Sequence, residues 1–301
     1  SYSFRNCTAL RRAIADYTGA DAENIMVGNG STELISAAIQ AIHPHAAVVL
    51  GPAYSEYERE LTLAGSVLHY YDLCAEKDFV LDVEDLERFI MEHADGAKAA
   101  GGKLRLPGLL VLCNPNNPTG HFVSNAQLCK IAEAFPRIPV IIDEAYGEFA
   151  KESMLAYLDT YHNLYVTRTL SKAYGFAGAR LGFLISCPSN IAKLKPVLVP
   201  YNISSLTQRA GVIVLRHAAE YELLVEEIQL ERDMLYHKLK QLKNVTFYPS
   251  QANYLYGKSK YKQELLKAME KEGIVIRNYE GKDSFRITVG SPAENAIVLS
   301  V

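Results

Sequence analysis

Short, wholly apolar runs alternate with longer amphipathic stretches from the start of the chain to about residue 186. The runs 24–28, 46–51, 67–71, 109–113, 140–143, 164–167 and 181–185 read as strands. Several are apolar at every position, which suits parallel strands buried on both faces. Between them, 7–17, 32–42, 55–63, 83–92 and 125–134 repeat apolar residues at helical spacing. The alternation predicts an α/β fold: a large domain with a central, mostly parallel sheet flanked by helices.

The pattern changes after Pro200. From Ser204 to Leu242 there is no proline and one glycine, so one or two long helices are expected. Strand-like segments follow at 245–249, 274–277 and 285–289, with a helix near 263–272. These predict a smaller α+β domain. We place the large domain at 1–215 and the small one at 216–301. The length of 301 residues suits two domains of about 150 residues each.

Composition narrows the function classes. Lys plus Arg is 31 and Asp plus Glu is 34, a net charge of −3, so no global basic field invites nucleic acid or an anionic membrane. No apolar run reaches the roughly 18 residues of a membrane span. The opening Ser1-Tyr2-Ser3-Phe4-Arg5 resembles neither a signal peptide nor a transit peptide. Five cysteines, widely spaced and without a CxxC, argue against a disulfide framework or a structural zinc. Reduced thiols and a cytoplasmic location are the expectation. His43 and His45 flank Pro44 at a helix end without an acidic or thiol partner at ligand spacing, so no metal site is expected.

Five motifs carry candidate chemistry. Val27-Gly28-Asn29-Gly30-Ser31-Thr32-Glu33 is a strand, a glycine turn and a helix start. A helix start offers free N–H groups and a positive dipole end to a phosphate. Taken alone it is also an ordinary capped turn. Glu33 would spoil a phosphate site if it pointed inward. Cys113-Asn114-Pro115-Asn116-Asn117-Pro118-Thr119-Gly120 doubles an Asn-Pro step after a buried strand, giving a rigid loop. Asp143 ends a fully apolar strand, with Tyr146 three residues on. Ligands of open α/β sheets bind at that edge, although a capping Asp is common there too. Ser171-Lys172 follows another strand and Arg180 comes eight residues later; lysine can serve as a Schiff-base amine and arginine as a phosphate clamp. Last, Arg277 and Arg286 sit beside or within apolar strand-like runs, each a sheet-edge charge or a buried carboxylate clamp.

In this order and spacing, with Gly51-Pro52-Ala53-Tyr54 added, the motifs resemble the fold-type I pyridoxal 5'-phosphate (PLP) enzymes. The nearest likeness is to the class I and II aminotransferases, in the histidinol-phosphate aminotransferase and threonine-phosphate decarboxylase branch. The resemblance implies PLP as cofactor, with Lys172 as its Schiff-base residue and later proton shuttle. Asp143 would pair with the ring nitrogen, and Tyr146 and Asn117 with the 3-oxygen. Tyr54 would stack on the ring. Gly30, Ser31, Thr32, Thr169, Ser171 and Arg180 would hold the phosphate. Arg286 would clamp a substrate carboxylate, Asn117 would border the substrate, and Arg277 would meet a second anionic group. Tyr2 matches a family tyrosine that reaches the phosphate of the neighbouring subunit, which implies a homodimer with shared active sites. Against that family the chain is expected to lack an N-terminal arm and to stop inside a final helix.

The implied reaction transfers an amino group from an amino acid or amino alcohol, phosphorylated or not, to a 2-oxo acid. The alternatives are decarboxylation of the threonine-phosphate type and non-catalytic PLP binding within a longer protein. The motif at 51–59 leans toward the decarboxylases and that at 171–180 toward the aminotransferases. The purified protein is expected to show a visible absorption band from lysine-bound PLP. Lys172→Ala should abolish it; a wild type that stays colourless with added PLP contradicts the assignment.

Overall fold

The structure, a computed structural model, describes residues 6–99 and 103–301. The elements in chain order are α1 Thr8–Thr18, β1 Ile25–Asn29, α2 Ser31–Ile42, β2 Ala46–Gly51, α3 Ser55–Leu63, β3 Val67–Asp72, α4 Val83–Glu92, β4 Asp95–Ala99, β5 Lys103–Arg105, β6 Leu109–Cys113, α5 Asn125–Ala134, β7 Val140–Asp143, β8 Leu164–Thr169, β9 Leu181–Ser186 and α6 Pro188–Leu194. They continue with α7 Ser205–Arg216, α8 Ala218–Leu239, β10 Thr246–Phe247, β11 Tyr254–Lys258, α9 Lys262–Lys271, β12 Arg277–Asn278, β13 Ser284–Thr288 and α10 Pro292–Ser300.

Seven strands form the main sheet in the order β1-β9-β8-β7-β6-β2-β3. Neighbours from β8 to β3 pair in parallel, while β9 runs antiparallel to both β8 and β1. Every residue of β2, β6, β7, β8 and β9 is buried. Their largely apolar sequences follow from burial on both faces. The edge strand β3 is largely exposed, in keeping with its His-Tyr-Tyr-Asp polarity. Side-chain caps fix several helix starts: Ser124 and Gln127 form a reciprocal capping box on α5, and Ser291 and Glu294 do so on α10.

The register sets up the ligand edge. Cys113 pairs with Asp143 and Asp143 with Thr167, so the C-terminal ends of β6, β7 and β8 form one row. Further along, Thr169 pairs with Gly182 and Gly182 with Gly28.

A second sheet has the order β10-β11-β13-β12, all antiparallel. It has its own apolar core, including Leu235, Leu239, Phe247, Leu255, Phe285 and Ile287. Helix α8 joins the two cores: Val225 packs in the larger, Leu235 and Leu239 in the smaller. The expected long helical stretch after 204 is two helices broken at His217. Two details of the second sheet differ from expectation. The segment expected at 274–277 pairs only from Arg277 onward. The strand Tyr254–Lys258, which lies between β10 and β13, was not expected. Tyrosines and an interior glycine weaken its apolar signature. The hairpin of β4 and β5 and helix α6 were likewise not expected. Among the described residues no helix is long and apolar enough to cross a membrane.

Gly182 couples sheet to helix. A Cβ there would fall 2.4 Å from the Ser31 nitrogen, 2.6 Å from the Gly30 carbonyl carbon and 3.0 Å from the Arg168 oxygen. All three are backbone atoms, so the start of α2 rests directly on β9. Gly182→Ala should push that helix start off the sheet and destabilise the fold by about 1–3 kcal/mol. Chemical denaturation measures this; an unchanged midpoint would show that the contact relaxes freely.

Candidate active site

At the C-terminal edge of the main sheet, a cavity of about 120 Å³ is lined by Ser31, Thr32, Tyr54, Cys113, Asn117, Asp143, Ala145, Tyr146, Thr169, Ser171, Lys172 and Arg180. An outer cavity of about 680 Å³ shares Tyr54, Asn117, Tyr146 and Lys172 and adds Arg277, Arg286, Tyr256, Tyr279 and Lys282. Of the residues singled out from sequence, these two cavities collect all but Gly30, which adjoins Arg180, and Tyr2, which lies outside the described residues.

One end of the inner cavity is built by the start of α2. Gly30 is its N-cap, with φ 85°, a conformation glycine adopts without strain. A Cβ on Gly30 would sit 2.5 Å from Arg180 Nη2, so only hydrogen lets the guanidinium lie there. Arg180 itself has a left-handed backbone, φ 54°, which is strained for a side chain of its size. Glu33 does not point at this site. Its carboxylate accepts from the Asn29 N–H at 2.6 Å and from the Asn202 amide at 2.7 Å. The Thr169 hydroxyl donates to the Leu181 carbonyl at 3.2 Å and lies 2.9 Å from Ser171 Oγ, which fixes the Ser171 side chain.

Asp143 is 3% exposed. Tyr57 donates to its Oδ2 at 2.7 Å and Thr167 to its Oδ1 at 3.0 Å. Burial pushes this carboxyl above its ordinary range, and those donors with the Ala145 N–H and Lys172 pull it back. The next residue, Glu144, anchors the loop. It accepts from Arg168 Nε at 3.0 Å, from Ser153 Oγ at 2.7 Å and from the Met154 N–H at 2.8 Å.

Lys172 Nζ lies 5.4 Å from the Tyr146 ring centre. Burial lowers the lysine's pKa, Arg286 lowers it further, and Asp143 opposes them. The neutral amine, which is the nucleophilic form, is thereby favoured. Burial pushes the Tyr146 hydroxyl up to about 12 against the pull of Arg286.

The second sheet reaches in through Arg286. Its Nη1 donates to Asn117 Oδ1 at 2.9 Å, and its guanidinium lies 4.5 Å from the Tyr254 ring centre. Among the described residues Arg286 Nε, which is buried, has no hydrogen-bond partner. Arg277 and Arg286 are paired residues on β12 and β13, so both project from one face. The loop after β12 is pinned by the buried Lys262, whose ammonium donates to the Tyr279 and Lys282 carbonyls.

Sequence reasoning missed Tyr57, Thr167, Tyr254 and Lys262. Tyr57 had a signal, since it follows Tyr54 at helical spacing. The others owe their place to strand register or to loops distant in sequence.

The site fits PLP on geometry. Cations, hydroxyls and a helix N-terminus gather at α2, which rests on β9. Asp143 lies two strands away on β7, about 10 Å at ordinary strand spacing. A lysine with lowered pKa shares the cavity. A phosphate, a basic ring nitrogen and a carbonyl carbon each meet matching chemistry.

Comparison with known proteins agrees. The aminotransferase class I and II family matches residues 3–301. The chain is 34% identical to histidinol-phosphate aminotransferase of Clostridium novyi, covering 100% of this chain and 82% of that protein. It is 37% identical to histidinol-phosphate aminotransferase of Clostridium kluyveri, covering 96% and 80% respectively. In fold it resembles the histidinol-phosphate aminotransferase from Clostridium acetobutylicum, with TM-score 0.87 and 23% identity over 100% of this chain and 89% of that one. L-threonine-O-3-phosphate decarboxylase from Porphyromonas gingivalis matches with TM-score 0.82 and 23% identity, at the same coverage. The chain therefore belongs to the class I and II aminotransferases and is a PLP-dependent enzyme.

Proposed function

We propose that this aminotransferase acts on an anionic amino donor, a phosphorylated amino alcohol or amino acid, with a 2-oxo acid as acceptor. The observation that carries the reading is the pairing of Arg277 with Arg286 across β12 and β13, both lining the cavity that contains Lys172. Two guanidinium groups on one face suit a donor carrying phosphate or carboxylate oxygens. The names of the relatives from Clostridium novyi and Clostridium kluyveri support a histidinol-phosphate-like donor.

When bound, PLP supplies an electron sink for the pair left at the substrate Cα. The residues of this chain do the rest. Ser31, Thr32, Ser171 and Arg180 would hold the phosphate through hydroxyls, charge and the N–H groups of α2, with Gly30 giving them room and Thr169 orienting Ser171. Asp143 would hold a proton on the ring nitrogen. Tyr54 would cover one ring face, while Asn117 and Tyr146 would donate to the 3-oxygen. Lys172 would anchor the cofactor covalently and then carry the proton to and from Cα. Arg286 would orient the donor, and Arg277 would meet its distal anion.

The two-sheet organisation belongs to the same reading: 1–215 as a large cofactor domain and 216–301 as a small domain. A separate apolar core under the second sheet supports it, with α8 passing between the cores. A homodimer is supported by exposed Val199, Tyr201 and Leu206, in the segment preceding Thr207, which bonds the Ala179 carbonyl beside Arg180. A cytoplasmic location is supported by cysteines that form no disulfide.

The test is a donor panel with and without phosphate groups, scored for carbonyl product and for carbon dioxide. Carbonyl product from a phosphorylated donor without carbon dioxide is expected. Carbon dioxide release points to decarboxylation instead, and binding without turnover sinks both. Arg277→Met should raise KM for the phosphorylated donor by about tenfold and leave that for its dephosphorylated analogue unchanged.

A further inference from the structure

Tyr57 lies in the first turn of α3, three residues after Tyr54, and is 1% exposed. Residues three apart share a helix face. The two rings meet edge to face, 5.6 Å between centres and 89° between planes. The Tyr57 hydroxyl donates to Asp143 Oδ2 at 2.7 Å. One helical turn therefore carries both the ring assigned to the cofactor's face and a donor to the carboxylate assigned to its ring nitrogen.

The acceptor count at Asp143 gives the bond its meaning. A carboxylate has about four acceptor sites. Tyr57, Thr167 and the Ala145 N–H engage it, and it still lines the inner cavity. Removing the Tyr57 hydroxyl would free one oxygen to rotate away or to take up a proton in a buried setting. Burial pushes the Tyr57 hydroxyl far above its ordinary range, so it remains a donor across the working pH.

We propose that Tyr57 is a positioning residue for Asp143: its hydroxyl fixes the carboxylate plane, leaving an acceptor site for the ring nitrogen of PLP. The proposal rests on the assignment of Asp143 given above. A purely space-filling Tyr57 would tolerate phenylalanine.

The test uses Tyr57→Phe, Asp143→Asn and the double variant. Equilibrium dialysis gives the affinity of each apoprotein for PLP, and steady-state kinetics of the holoenzyme gives kcat and KM. Tyr57→Phe should lower PLP affinity and kcat each by about tenfold, without raising KM for the amino donor. In the double variant it should add nothing to Asp143→Asn, because the hydroxyl then has no carboxylate to hold. Wild-type PLP affinity and kcat in Tyr57→Phe would overturn the proposal. So would losses that multiply in full in the double variant. If Asp143→Asn alone matches wild type, the Asp143 assignment falls first and the proposal with it.

Discussion

A carboxylate taken out of water is costly unless donors meet it, and in this fold the donors to Asp143 come from two different elements. Thr167 arrives because β7 and β8 are in parallel register, with Asp143 opposite Thr167. Tyr57 arrives because α3 packs over the sheet. A slip of one residue in that register would turn the side chain of Asp143 to the opposite face. The charge is tolerable only in the correct pairing, so the feature that suits a cofactor also specifies the sheet. The loop after Asp143 is held by a second buried set, in which Arg168 of β8 faces both Glu144 and Glu148. Both sets tie β7 to β8, where ligands of open α/β sheets bind.

The two sheets meet at the rigid loop after β6. Tyr254 donates to the Asn116 carbonyl at 2.7 Å, Gln251 N–H to the Gly120 carbonyl at 2.8 Å, and Arg286 to Asn117 at 2.9 Å. Gly120 has no room for a side chain, since a Cβ would fall 2.3 Å from Ser250 Oγ. This seam brings the charge of Arg286 close enough to lower the pKa of Lys172. Burial is the larger cause of that lowering, and Arg286 of the other sheet adds to it.

The main sheet was legible in the sequence because burial on both faces leaves nearly unbroken apolar runs, each ending near a turn. Asp143, Lys172 and Arg180 stood out because each ends, follows or directly precedes such a run. Strand β11 was illegible for the converse reason. Tyr254, Tyr256 and Gly257 do not look like a core strand, yet all three are buried, with aromatic rings packed edge-on to neighbours such as Tyr146 and Phe79. Tyr57 and Thr167 were missed because their partner lies 86 and 24 residues away, a separation that no local pattern encodes. Lys262 is the extreme case. It lies just outside the helix expected near 263–272; in the fold it is 5% exposed and donates to the Tyr279 and Lys282 carbonyls.

These placements divide the labour of the site. The groups proposed to act on the cofactor stand on or directly after the main sheet, where register and buried hydrogen bonds allow little movement. The groups proposed to choose the donor, Arg277 and Arg286, stand on the smaller sheet and line an outer cavity shared with Tyr54, Asn117 and Tyr146 of the larger part. In the proposed assignment, the large-sheet groups would serve transamination and decarboxylation alike. The outcome would then depend on how Arg277 and Arg286 orient the substrate, since only the Cα bond held perpendicular to the cofactor ring is weakened.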